Sequence, residues 1–316
     1  MWVVNKKVVA LGGGHGLAAT LTALRSMTSD ITAVVTVADN GGSSGRLREE
    51  FPILPPGDLR MALAALCGDD EWGRSWAQIM QYRFTSEGSL DGHAMGNLLL
   101  AALWDRDEDI VAGLERVGSL LKVIGRVLPM AGEPLDIEAT FEQGQKAEIV
   151  RGQVEVATAR GKLRSLRLIP ENPRALPQTI DAIAAADWIT MGPGSWFSSV
   201  IPHLLMPALR SALISSSAKK ILLLNLDSAD QSAGEYAGYS PLEHLKILHQ
   251  YAPQLHFDCV VLDTHSDGAD ELESYLSTQG SELLRADLRS LEHPLHHDTK
   301  KLGQLFAHIA LEKLVG

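Results

Sequence analysis

Three glycine-rich turns hold the residue types best able to bind an anion. The first is Gly12, Gly13, Gly14, His15 and Gly16, running into Leu17. Glycine lets the backbone come close to a ligand, and the helix expected to follow offers unpaired N–H groups at its positive dipole end. Gly12 and Gly14 match the first two glycines of the dinucleotide fingerprint G-x-G-x-x-G, but Leu17 stands at the third. The pattern points to phosphate more than to NAD, and it also suits a plain strand-to-helix turn. The second turn is Asp39, Asn40, Gly41, Gly42, Ser43 and Ser44, with Arg46 and Arg48 close behind. Consecutive amides, two hydroxyls and guanidinium groups make a nest for oxyanions, and an acid at this strand end can accept from ribose hydroxyls. The third is Gly192, Pro193, Gly194 and Ser195, followed by Ser198 and Ser199. Trp196 and Phe197 beside it either stack on a base or sugar or pack in the core.

Two shorter segments add candidates. PPGDLR places Asp58 and Arg60 at the start of a helix, and GHAMGNLLL places His93 and Asn97 at another. Asp39 and Asp58 are the candidate catalytic residues, and together they can hold Mg²⁺ against a diphosphate, since Mg²⁺ takes one or two carboxylates plus substrate oxygens. Asp58 can equally cap its helix. The cluster His293, His296, His297 and Asp298 lacks the spacing of a helical zinc site and is expected as a turn before the last helix, within reach of the pocket. There is no G-x-S-x-G nucleophile elbow with evident triad partners, which argues against a serine hydrolase.

The elements around these turns follow from hydrophobic spacing. Residues Lys7 to Leu11 and Ile31 to Ala38 are predicted strands flanking a helix with Leu17, Leu21, Leu24 and Met27 on one face, a βαβ unit. Further helices are expected at Leu59–Leu66, Asn97–Leu103 and Ile110–Leu121. From about 120 to 169 short alternating runs, including AEIVRG, VEVAT and KLRSLRLIP, predict antiparallel strands. The α/β pattern then resumes, with strands at Trp188–Met191, Ile221–Leu226 and Cys259–Leu262 and helices between and after them. The expectation is one α/β domain over residues 1–316: a Rossmann-like, doubly wound, mostly parallel sheet with a β-rich insertion at about 120–169. All three glycine turns follow strands, so they should converge where ligands of such sheets bind.

Bulk properties narrow the classes. A net charge of −11 argues against a general nucleic-acid binder. Two cysteines, Cys67 and Cys259, each in an apolar context, suggest buried thiols rather than a disulfide framework. The N-terminal apolar run is too short for a signal sequence, and no stretch is long enough for a membrane span. A cytoplasmic location is the expectation.

Taken in order, GGGHGL, VVTVADNGGSSGRLR, PPGDLR, GHAMGNLLLAAL, ADWITMGPGSWFSSVIPHLL and NLDSADQSAGEYAGYSPLEHL resemble successive blocks of the gluconeogenesis factor family, which is related to 2-phospho-L-lactate transferase. The resemblance implies a Rossmann-like fold and a site made of residues Gly12–Gly16, Asp39–Ser44, Asp58, Asn97 and Gly192–Ser199. It implies a regulatory protein that binds UDP-sugars, notably UDP-N-acetylglucosamine, and links gluconeogenic carbon metabolism to cell-envelope synthesis and cell shape. A protein partner in envelope synthesis and a homo-oligomer are compatible with it. The transferase branch implies a Mg²⁺-dependent phospholactyl-type transfer from a nucleoside diphosphate donor, and an NAD(P)-binding enzyme is the third reading. His15 departs from the threonine usual in the family, Asn40 from a common second aspartate, and Trp196-Phe197 from a Leu-Tyr pair. These changes bear on the ligand and on Mg²⁺ more than on the fold.

Overall fold

The computed structural model describes residues 6–107, 109–144, 146–226 and 239–312. Seven parallel strands form the central sheet: β1 (Val8–Gly12), β2 (Ile31–Val35), β3 (Arg126–Pro129), β7 (Trp188–Met191), β8 (Lys219–Leu223), β9 (Cys259–Asp263) and β10 (Glu282–Ala286). The four central strands β2, β1, β7 and β8 are almost entirely buried, as expected where helices cover both faces and the sequence is continuously apolar. Strand order across the sheet is β10-β9-β8-β7-β1-β2-β3. The chain therefore winds outward from β1 in one direction, then restarts on the other side of β1 at β7. The switch point between β1 and β7 opens a crevice at the carboxyl ends of the strands.

Helices α1 (Gly14–Leu24), α2 (Gly42–Glu50), α3 (Pro56–Ala65), α4 (Glu71–Gln81), α5 (Met95–Asp107) and α6 (Ile110–Leu121) lie between β1 and β3. The second half carries α8 (Pro177–Ala184), α9 (Ile201–Leu205), α10 (Pro207–Ser215), α11 (Pro241–Tyr251), α12 (Ala269–Gln279) and α13 (Thr299–Glu312). Pro202 and Pro207 sit in first turns, where proline costs no hydrogen bond, so α9 and α10 are two short helices rather than one. A π-helical turn, Trp196–Val200, precedes them. Among the described residues, no single helix is long and apolar enough to cross a membrane.

The second sheet has three antiparallel strands, ordered β5 (Lys146–Arg151), β4 (Asp136–Gln143) and β6 (Lys162–Ile169). On β4, Ile137, Ala139 and Phe141 alternate inward into the main core.

Three expectations change. Arg126–Pro129 falls inside the range expected for the insertion but pairs with β2 as the edge of the parallel sheet. VEVAT is not a strand: it belongs to helix α7 (Gln153–Thr158), because Asn40 Oδ1 accepts from the N–H groups of Gln153 (2.9 Å) and Val154 (3.3 Å). A side chain from a distant turn thus caps a segment whose local alternation favours β structure. The strand β10 and the helices α2, α4 and α12 add to the elements foreseen, α2 forming from residues read as part of the second turn.

Candidate functional site

The first and third glycine turns follow β1 and β7, the two strands that flank the switch point. They touch directly. A Cβ on Gly16 would collide with the carbonyl of Pro193 and stand 2.9 Å from Gly194 Cα, so only glycine allows the two backbones this approach. Gly192 N–H donates to Leu11 O (3.2 Å), and Thr20 Oγ1 donates to Gly192 O (3.3 Å). Asn225, just beyond β8, grips the third turn twice: Gly194 N–H donates to its Oδ1 and its Nδ2 donates to Gly194 O, both at 2.7 Å. The motif reasoning did not place Asn225 in the site. Its signal was a polar residue ending an apolar strand, the position that the other turns share.

Beside this junction lies a cavity of about 450 Å³. Helices α1, α3 and α4 line it mostly with alanines, beside Met61, Thr22 and Gln81, and its walls also include His15, Pro193, Gly194 and Asn225. His296, His297 and Thr299 line it from the C-terminal segment, so the histidine cluster does reach the pocket. No Asp or Glu is among its described lining residues.

The second turn is built differently. Ser43 Oγ accepts from Asn97 Nδ2 (3.0 Å) and Ala94 N–H (3.4 Å), leaving its proton for His93 Nδ1 (3.0 Å). Asn97 Oδ1 in turn accepts from Arg60 Nε (2.8 Å), and Arg60 Nη1 donates to Gln81 Oε1. Ser44 Oγ accepts from Gly57 N–H (3.0 Å). Gly42 N-terminates α2 with Gly41 as its cap residue, and Gly41 N–H donates to Asp39 Oδ1 (2.8 Å). Arg46 turns away to the carbonyls of Ser89 and Asp91, while Arg48 donates to Asp39 O and to the Asp136 carboxylate of β4. Asn40 joins the insertion, its Nδ2 donating to Glu155 Oε2 (3.0 Å) as its Oδ1 caps α7.

Asp58 connects the turns. Its carboxylate accepts from Gly14 N–H, and a Cβ on Gly13 would lie 2.5 Å from Asp58 Oδ2 and 3.1 Å from Ser199 Oγ. Asp58 Oδ2 is buried and has no hydrogen-bond partner among the described residues. Burial, reinforced by the charge of Asp39, pushes the Asp58 carboxyl up to about 7, against the pull of the Gly14 amide and Arg60. Burial, with the charge of Arg83 beside it, lowers the Arg60 guanidinium to about 10.

On the third turn, Ser198 donates from Oγ to Ser195 Oγ (2.6 Å), and its N–H donates to the same oxygen (3.2 Å). Gln153 Nε2 of the insertion donates to Ser198 Oγ (3.4 Å). Trp196 and Phe197 settle in the core: Trp196 stacks on His244 (5.2 Å), and Phe197 meets Phe141 and Tyr239 edge-on. They are unavailable to a ligand. Of the proposed site residues, His15, Gly16, Pro193 and Gly194 line the cavity. Gly13, Asp58 and Ser199 pack together beside the junction, whereas Asn40, Ser43, Ser44 and Asn97 are bonded into the network around the second turn and Arg46 turns away. Of the resemblance block NLDSADQSAGEYAGYSPLEHL, residues 227–238 lie outside the described residues.

The switch point, the glycine turns meeting across it and the helices on both faces define a Rossmann-like α/β protein. The family model described as 2-phospho-L-lactate transferase CofD matches residues 8–303, and the chain belongs to this CofD-like gluconeogenesis factor family. The Gluconeogenesis factor of Bacillus subtilis is 34% identical over 326 residues, covering 97% of this chain and 98% of that protein. A Mycobacterium tuberculosis protein provisionally named a gluconeogenesis factor is 48% identical over 302 residues, covering 93% and 87%. The crystal structure of a UPF0052-family protein from Bacillus halodurans matches with a TM-score of 0.82 at 31% identity, covering 96% of this chain and 98% of that one.

Proposed function

We propose that the protein binds a nucleoside-diphosphate sugar of the UDP-N-acetylglucosamine type at the junction of the first and third turns. In this reading it is a ligand-sensing regulator that links gluconeogenic carbon metabolism to cell-envelope synthesis and cell shape. The observation that carries it is the contact of Gly16 with Pro193 and Gly194, which brings two strand-end turns together beside an open cavity. A diphosphate suits the amides and the amino end of α1, and the cavity has the size of a small-molecule pocket. Its described walls carry no carboxylate; Asp58, behind them, holds the Gly14 amide, so the ligand would meet the amides that remain and the side chains of the rim. Calorimetry with UDP-N-acetylglucosamine should give mid-micromolar or tighter binding; no heat with any UDP-sugar overturns the reading.

A second reading rests on the carboxylates. Asp58 Oδ2 lacks a partner and feels the charge of Asp39, a pairing that a divalent cation relieves. Asp39 and Asp58 would hold Mg²⁺, which would supply charge neutralisation at a diphosphate in a phospholactyl-type transfer. Arg60 and the turn amides would orient the donor. Cleavage of a nucleoside diphosphate donor that needs Mg²⁺ and falls at least tenfold in Asp58→Ala supports this reading. No cleavage, or cleavage indifferent to the substitution, removes it.

A further inference from the structure

The cavity mouth carries a row of imidazoles from opposite ends of the chain. His15 comes from the first turn and His296 from the segment before α13. Both line the cavity, with ring centroids 6.2 Å apart and planes within 16° of parallel. His293 extends the row, 5.6 Å from His296. The C-terminal segment is anchored, and the main chain of the exposed His296 is bonded within it: Ser290 N–H donates to His296 O (2.9 Å) and His296 N–H to His293 O (2.8 Å). Asp263, at the end of β9, accepts from Leu288 N–H (2.8 Å) and Arg289 Nε (2.8 Å), and Asp298 N–H donates to Leu288 O (2.8 Å).

The charges that act on His15 are positive, and the neighbouring Asp58 carboxylate is held on the Gly14 amide. The groups acting on it are His296 from the C-terminal segment, Arg60 from α3 and Arg83 from the stretch after α4. Burial first, and then these positive charges, hold the His15 imidazole below its ordinary pKa, in the neutral form. Asp39 and Asp58 act on Arg60 from behind. His15, His296 and His297 line a cavity whose described walls carry no carboxylate, and Arg60 and Arg83 add positive charge from outside it, an arrangement that an incoming anion stabilises.

We propose that His15 and His296 are an anion clamp, whose ring N–H groups both reach one phosphate of the ligand, an imidazole taking up a proton as it binds. The clamp rests on the diphosphate reading and adds side-chain recognition to the main-chain amides. The proton comes from solvent onto an imidazole nitrogen, and no bond in the ligand is made or broken. The placed anion reverses the local field, so the imidazolium becomes the stable form and donates a charge-assisted hydrogen bond.

The test is calorimetry of UDP and of inorganic pyrophosphate in buffers of differing ionisation enthalpy, at mildly alkaline pH. The heat should vary with buffer in the sense of proton uptake. His15→Gln and His296→Gln should each weaken binding about tenfold and reduce the uptake. Imidazole ¹⁵N shifts of the wild-type protein, titrated with pyrophosphate, read the same protonation without any variant. The clamp is overturned by failure of both probes to bind, by binding without proton uptake, or by uptake unchanged in both variants. Uptake lost only in Asp58→Asn assigns the proton to the buried carboxylate and also overturns it. Tight UDP binding indifferent to both histidines removes the clamp but leaves the nucleotide reading standing. Histidine-dependent uptake with pyrophosphate, without heat from any UDP-sugar, supports the clamp and removes the nucleotide-sugar reading.

Discussion

Around the second turn, polar side chains are spent on one another; around the first and third, backbone and rings surround a hollow. Ser43, His93, Asn97, Arg60 and Gln81 form a chain of hydrogen bonds, while Gly16, Pro193 and Gly194 meet main chain to main chain at the edge of a cavity. Both stretches are rich in glycine and lie at strand ends. The difference shows that glycine marks where backbones come close, and the neighbouring side chains decide whether the result is a scaffold or a receptor.

Substitutions can sharpen this contrast. The largest effect is expected from Gly16→Ala, because the added methyl has backbone, rather than a movable side chain, in its way. Urea unfolding should show a loss of about 3 kcal/mol, with ligand binding abolished. Unchanged stability would mean that the two turns are not locked together. Asp58 comes next. Its carboxyl is raised from 3.8 to about 7, so the folded state holds a proton that the unfolded chain releases. The stability it contributes is full below pH 3.8 and is lost as pH rises through about 7. Asp58→Asn should therefore leave the melting temperature little changed in acid and raise it at pH 8, by up to about 4 kcal/mol of stability. An equal effect at both pH values would place the proton elsewhere.

Asn97→Ala should cost about 2 kcal/mol, since it strips buried partners from Arg60 and Ser43, and affect ligand affinity only through stability. Asn225→Ala should do the reverse, costing little stability but weakening ligand binding about tenfold as the Gly194 turn loosens. If the two variants behave alike, the division into scaffold and receptor fails. The smallest effect belongs to Arg46→Ala. Its guanidinium is exposed and bonded to two loop carbonyls, so stability should change by about 0.5 kcal/mol and affinity not at all.

The glycine turns were legible in the sequence because their signal is local: an apolar strand, then glycines and small polar residues, then helical spacing. Strands β1, β7 and β9 were placed nearly to the residue for the same reason, being continuously apolar. The edge strand β10 was not, because it is half exposed and carries Glu282 and Arg285, so it lacks the apolar run of a central strand. Helix α7 was hidden because its cap, Asn40, lies far back in the chain. Which hydroxyls stay available to a ligand was equally illegible. Ser43 looks like a phosphate donor until Asn97, remote in sequence, is seen bonded to it. Asn225 escaped notice because its two bonds with Gly194 depend on the turn conformation rather than on any motif.

The strand order carries a consequence for synthesis on the ribosome. The partner that β1 needs on one side, β2, emerges almost at once, with Val8 pairing to Ile31; the other, β7, pairs Val8 to Trp188. Until most of the chain has been translated, that flank of β1 is an open edge and the first turn has nothing to close against. A growing polypeptide therefore cannot close the first turn against the third before Gly194 has emerged, and the cavity walls are complete only once Thr299 has.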